Sequence, residues 1–326
     1  VGLHTGVHTK MIVKPASPGH GIKFQRIDLP DAPVIKADVD YVVDTSRGTT
    51  LELNGARVAT VEHILAALTG MGVDNVLIEL NAEEIPIMDG SAIVFVDAIE
   101  KVGIEEQNAK KIYFSIDTNI AYTDDDKNVE MVATPSTEYK ITTMIDFNST
   151  VLGTQHAYLK SLKSFKKEIA PCRTFCFLHE IEFLFNNNLI KGGDLDNAIV
   201  VVDRILEKDE LDKLAKMFNK PNIEVVHEGI LNNLNLHFTN EPARHKLLDI
   251  VGDLTLVGYP IKANVIAYRP GHKTNIAFAK KIKDYIKKNK SMLDVPIYDP
   301  SVPAMYDINY ISKLLVHRFL FFLVVK

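Results

Sequence analysis

Cysteine is nearly missing from this 326-residue chain: only Cys172 and Cys176 occur, four residues apart with no second pair. That excludes a disulfide framework and a zinc ribbon, and it points to a reducing, cytoplasmic setting. A large excess of one charge is missing too. With a net charge of −5 and a pI near 6.1, the chain is expected to have no nucleic-acid partner, and its densest lysine run, KKIKDYIKKNK at 280–290, reads as a solvated helix end. No apolar run is long enough to span a bilayer, the most apolar being FLFFLVV at 319–325, and no signal peptide opens the chain. KGGDLDNAIV at 191–200 lacks the spacing and the following Lys-Ser/Thr of a phosphate-binding loop, which leaves a plain turn. There is no initiator Met, and the last residues resemble the inside of a strand, so a fragment cut at both ends is expected.

What is present suits a globular protein of two ordinary domains: 46% of the residues are hydrophobic, enough for a sizeable core. Over residues 1–60, period-two runs such as Lys10–Val13 and Thr50–Leu53, broken at Pro18-Gly19 and Asn54-Gly55, predict a small antiparallel sheet. His4, His8 and His20 there have no neighbour at ligand spacing and receive no role. TVEHILAALTGMG at 60–72 reads as a helix capped by Thr60, with Ile64, Leu65 and Leu68 as its buried stripe. A strand at 74–80 and a loop, EEIPIMDGSA, follow, with Asp89 as cap of the next helix. Polarity rises in EEQNAKK, which sets a boundary at 107–112 between domains 1–106 and 113–288. The second begins with the strands KIYFSI, EMVATPS and YKITTMIDF. It continues with helices near 164–188 and 207–218, strands near 197–203 and 223–227, and a closing strand and helix at 261–288. Strands segregated from helices in each half predict an α+β fold rather than alternating βαβ units.

The stretch richest in chemistry is EPARHKLLDIVGDL at 241–254. Asn240 as cap, Pro242 in the first turn and an apolar stripe predict a helix, on which His245, Asp249 and Asp253 share one face. At 1.5 Å per residue, neighbours in that row stand about 6 Å apart and the outer two about 12 Å apart, so one ion takes two of them at most. A solvated helix face is the plain alternative. Glu62 and His63 open the helix at 60–72, where they would also suit the helix dipole, and His272 lies on the Pro-Gly turn of RPGHKTN at 269–275. Two histidines and one aspartate around a water make a catalytic zinc site with an open position. The same set serves an iron(II) oxygenase; Glu62, placed to take a proton from water, favours hydrolysis, with His272 as acid and Asp253 behind it.

Seven motifs in order, GLHTG at 2–6, TVEHILAAL at 60–68, EIPIMDGSA at 84–92, CRTF at 172–175, KGGDLDNAIV at 191–200, RHKLLDIVGDL at 244–254 and PGHKTN at 270–275, resemble the UDP-3-O-acyl-N-acetylglucosamine deacetylases, zinc amidases of lipid A biosynthesis. The resemblance runs from residue 1 to about 288 and implies His63, His245 and Asp249 as zinc ligands, with Glu62 as base. It further implies His272 as general acid supported by Asp253, Thr174 at the developing oxyanion, and Phe175 and Lys246 at the sugar and diphosphate. The implied reaction releases acetate from UDP-3-O-(3-hydroxyacyl)-N-acetylglucosamine. The implied architecture is two related α/β sandwiches packed through their helices, with the site between them. After a linker at 289–306, DINYISKLLVHRFLFFLVVK at 307–326 resembles the opening of a hotdog-fold 3-hydroxyacyl-[acyl-carrier-protein] dehydratase, with Val316, Leu320 and Val325 where that pattern has Pro, Pro and Asp. A fusion implies oligomerisation through the dehydratase part. The alternative is an inactive fragment or scaffold of such a bifunctional protein.

Overall fold

The computed structural model describes residues 1–181, 191, 196–217, 223–225, 229–232 and 234–289. The dehydratase-like tail at 307–326, all but the first residue of the linker, and Gly192-Gly193 lie outside the described residues. The fold is mixed α+β.

The first large sheet holds β1 (Met11–Pro15), β2 (Ile22–Arg26), β3 (Val34–Lys36) and β7 (Val76–Leu80), in the order β1-β7-β2-β3. A three-stranded sheet of β4 (Val42–Asp44), β5 (Thr50–Leu53) and β6 (Ala56–Val58) leads into α1 (Glu62–Gly70), and α2 (Ile93–Val102) follows β7. Every ladder within residues 1–60 is antiparallel, as expected, β2 with β3, β4 with β5 and β5 with β6, but β7, which arrives after α1, runs parallel to β2. Alternation shows which face of a strand is buried, as in Val76, Ile78 and Leu80 of β7, but it carries no information on the direction of a neighbour that arrives after a helix.

The second large sheet contains β9 (Ile120–Asp124), β10 (Val129–Pro135), β11 (Lys140–Asp146), β12 (Thr154–Leu159) and β15 (Ile261–Tyr268), with the short β8 (Phe114–Ser115) pairing β15. Its order is β12-β11-β15-β10-β9. Here the late strand β15 is antiparallel to β10 and parallel to β11, as β7 is antiparallel to β1 and parallel to β2. The two sheets therefore repeat one pairing scheme.

The single helix expected near 164–188 is interrupted. After α3 (Phe165–Glu168) the chain passes Pro171 and enters β13 (Phe175–Phe177), parallel to β14 (Ile199–Val201). Proline cannot donate to a helix ladder, and a short apolar run such as FCF suits either state. Phe175 thus lies on a strand. α4 (Lys208–Met217) packs on this pair, and Leu178, Val200, Leu214 and Leu231 form a small core of their own.

α5 (Glu241–Thr255) and α6 (His272–Lys288) complete the described chain. α1 lies across α5, and Leu65, Phe95, Leu248, Val265 and Phe278 belong to one continuous core that reaches both large sheets. Capping departs from expectation at both key helices. Thr60 adopts φ +59° and donates its hydroxyl to Glu84, so α1 starts one residue beyond Val61 with no side-chain cap. Asn240 holds the N-cap position, but its amide instead accepts from Arg244 and donates to the His156 carbonyl. Asp89 accepts from Ser91 within a turn rather than capping α2. No helix among the described residues is long and apolar enough to cross a membrane.

Candidate active site

The close crossing of α1 and α5 creates the site. Gly252 makes it possible: a Cβ on this residue would stand 2.1 Å from the Glu62 carbonyl oxygen and 2.9 Å from the Glu62 Cα. The first turn of α1 therefore lies directly on the His245–Asp249–Asp253 face of α5. The solvated-face alternative is excluded, because Glu62, His63, His245, Asp249 and Asp253 are all buried. His272, at the start of α6, closes the cluster.

His63, His245 and Asp249 each offer a ligand atom within 4.8 Å of one another. The Nε2 atoms of His245 and His63 stand 3.4 and 4.0 Å from Asp249 Oδ1. The ring of His245 meets that of His63 edge-on at 5.1 Å, with its orientation fixed by an Nδ1 contact of 3.0 Å to the Cys172 carbonyl. Lys246 donates to Asp249 Oδ2 at 2.8 Å, while Oδ1 is buried with no hydrogen-bond partner. An orphaned buried carboxylate oxygen is costly unless something positive occupies its open side.

Electrostatics favour the same use. Burial, and then the neighbouring His245, pull His63 down to about 3, and burial also lowers His245, so both imidazoles are neutral and have lone pairs to give. Burial pushes Asp249 up, yet the cationic Lys246 and His272 hold it below the usual carboxylate range. Two neutral imidazoles and one carboxylate could hold a divalent cation, and the orphaned oxygen fits that use.

Beside the trio, His272 Nε2 stands 3.9 Å from Glu62 Oε1 and 3.9 Å from Asp249 Oδ2. Its other nitrogen, Nδ1, is 3.0 Å from Asp253 Oδ2, which also accepts from Asn275 at 2.8 Å. Burial, partly opposed by His272 and reinforced by Asp253 and Asp249, pushes Glu62 up to about 7. His272 moves the opposite way: burial lowers it, but Asp253, Asp249 and Glu62 overcome that and raise it to about 9. A carboxylate poised near neutrality faces an imidazolium that keeps its proton, which is the separation an acid/base pair needs.

The segment 172–175 is pinned from below. Arg173 donates from its backbone and guanidinium to the fully buried Glu241 at the start of α5, which holds the Cys172 carbonyl against His245. Thr174 is half-buried, with its backbone tied to Gly90 and Ile199. Lys246, expected at a diphosphate, is paired with Asp249 and lies 5.5 Å from the centre of the Phe175 ring. The residues singled out on α1, α5 and α6 thus meet in one cluster. Sequence reading missed Thr49, Gly252 and Asn275, although Gly252 lies inside the quoted RHKLLDIVGDL and Asn275 ends the quoted PGHKTN.

The UDP-3-O-acyl N-acetylglycosamine deacetylase family model matches residues 1–219 and 213–284. The chain belongs to this deacetylase family. Relatives carry its name or a fused form of it. A bifunctional enzyme LpxC/FabZ of Chlorobaculum tepidum is 44% identical over 332 residues, covering 100% of this chain and 70% of that protein. The UDP-3-O-acyl-N-acetylglucosamine deacetylase of Myxococcus xanthus is 41% identical, covering 86% of this chain and 82% of its own length. That of Chlamydia pneumoniae is 39% identical, with 88% and 94% covered.

Proposed function

We propose that the chain is a zinc-dependent deacetylase that removes the N-acetyl group of UDP-3-O-acyl-N-acetylglucosamine, releasing acetate in the committed step of lipid A biosynthesis. The observation that carries the reading is the partnerless Asp249 oxygen facing two neutral imidazoles, with Glu62 and His272 beside it. A zinc ion held by His63, His245 and Asp249 would supply Lewis-acid polarisation of the amide carbonyl. The remaining work belongs to the chain. Glu62 Oε1 takes a proton from the attacking water as its oxygen bonds to the acetyl carbon. His272 Nε2 gives its proton to the departing amine as the C–N bond breaks, so that water and amide become acetate and amine. Asp253, bonded to Nδ1, keeps the His272 ring turned so that its Nε2–H faces the cluster, and the Thr174 hydroxyl serves the developing oxyanion.

Phe175 and Lys246 are assigned to the sugar and diphosphate side. A cleft of about 380 Å³ that includes Phe147, Arg269 and Lys273 meets the cluster at His272 and offers a polar substrate an approach from that side. The same reading divides the chain into domains 1–106 and 113–288 around a linker at 107–112, supported by the pairing scheme that the two large sheets share. The fused relatives support residues 307–326 as the opening of a dehydratase part, through which the intact protein would oligomerise. Both cysteines are free, in keeping with a cytoplasmic setting.

Protein purified without chelator is expected to contain near-stoichiometric zinc and to release acetate from the UDP-sugar. Chelation should stop release and zinc should restore it. Release that persists in a metal-free sample would sink the proposal, and iron content with a requirement for dioxygen would favour the oxygenase chemistry instead.

Turnover should trace a bell against pH. It rises as Glu62 loses its proton, pushed up by burial to about 7, and falls as His272 loses its proton, near 9. A bound dication draws both limbs to lower pH without reversing their order. His272→Gln should remove the alkaline limb alone; an unchanged alkaline limb in that variant assigns it elsewhere.

A further inference from the structure

We propose that Thr49 is a positioning residue for the hydrolysis, holding the Glu62 carboxylate and the Asp253–His272 pair in register from a single point. The inference rests on the roles given above to Glu62 and His272.

Thr49 is fully buried at the entry to β5. Its backbone N–H donates to Glu62 Oε2 at 3.0 Å, and its carbonyl accepts from the Val61 N–H at 3.2 Å, immediately before α1. The peptide frame is therefore clamped to the helix start on both sides. Its hydroxyl points away to Asp253 Oδ1, at 2.6 Å, across 204 residues of sequence. The hydroxyl has one hydrogen, and a carboxylate can only accept, so that hydrogen is committed to Asp253; the 3.5 Å separation from His272 Nδ1 is at the outer limit of contact.

Two oxygens on each carboxylate are thereby sorted. On Glu62, Oε2 is occupied by Thr49, while Oε1 is left on the side of His272. A side chain at Gly48 would come 2.8 Å from Oε1, so the residue before Thr49 keeps that oxygen clear for water. On Asp253, Oδ1 takes Thr49, and Oδ2 takes Asn275 and His272. A carboxylate held at both oxygens cannot rotate, and the imidazole bonded to it keeps Nε2 turned toward the cluster. Base and acid come from α1 and α6; Thr49 touches the first and reaches the second through Asp253.

Thr49→Val preserves shape and the backbone N–H but removes the hydroxyl. Its kcat on the UDP-sugar substrate is expected to fall about 10–100-fold, the usual effect of losing such a supporting partner, with KM within about twofold and bound metal unchanged. Thr49→Ser should restore most of the loss. The decisive measurement is the pair: in a His272→Gln background, Thr49→Val should lower kcat by less than about twofold, because the hydroxyl acts through that histidine. Thermal melts establish that each variant is folded, and Thr49→Ala replaces the valine variant if that one is not. Full turnover in Thr49→Val, or losses that multiply in the double variant, would overturn the assignment. Wild-type protein that releases no acetate would instead defeat the deacetylase reading on which it rests.

Discussion

Glu62→Gln is expected to lower acetate release by roughly 10²–10⁴-fold, the range for loss of a positioned general base, while His63, His245 and Asp249 keep their metal. The amide fills the same space and can still accept the Thr49 N–H, so geometry survives and only proton uptake is lost. Burial gives this substitution a second effect of opposite sign. Because the folded state raises Glu62 from 4.5 to about 7, the native chain binds an extra proton between those values, and stability falls as pH rises through that window. Above 7 the buried charge opposes folding in full; below 4.5 that opposition is gone. Metal-free Glu62→Gln should therefore melt higher than the metal-free parent at pH 8, with the gap closing toward pH 5. Equal turnover to wild type would remove Glu62 from the mechanism, and equal melting at pH 8 would show that its carboxylate is not buried as described.

Gly252→Ala is the second large effect. The added methyl would meet backbone atoms of Glu62 at 2.1–2.9 Å, and backbone cannot rotate aside as a side chain can. α1 must lift from α5. Overpacking of this kind costs about 1–3 kcal/mol, occasionally more, and a displacement on the order of 1 Å at a reacting group costs about 10²-fold in rate. A lower melting temperature should accompany weaker metal retention, since His63 rides on the helix that moves. Alanine at 252 with unaltered melting and turnover would mean that the two helices do not approach so closely. Alanine at Gly55 makes a useful comparison: no atom lies within 4 Å of a Cβ there, so that change bears on the turn's φ of +80° and not on the site.

These two positions show where sequence reading succeeds and stops. The row His245, Asp249, Asp253 was legible because helix periodicity is local: four residues return a side chain to the same face whatever the rest of the chain does. Glu62 beside His63, and His272 on its turn, were legible as chemistry in short motifs, although what brings them to α5 was not. Gly252 looks like an ordinary helix glycine until Glu62, 190 residues earlier, is found against it. Thr49 sits in TTLEL, a plain strand pattern, and its partner Asp253 is as remote. The parallel pairings of β2 with β7 and β11 with β15 were hidden for the same reason. Thr60 shows the converse, a local rule overridden: a good capping residue is drawn to Glu84, and the helix begins without it.

The division of the cluster between α1 and α5 also sets a timetable for synthesis. His63 precedes Asp249 by 186 residues, so the first ligand leaves the ribosome long before the other two. At about 5–20 residues per second, that interval is roughly 10–40 s. Throughout it the nascent chain carries Glu62 and His63 without the α5 residues that complete the cluster. On the zinc-site reading, capture of the metal would be deferred until the last helices arrive.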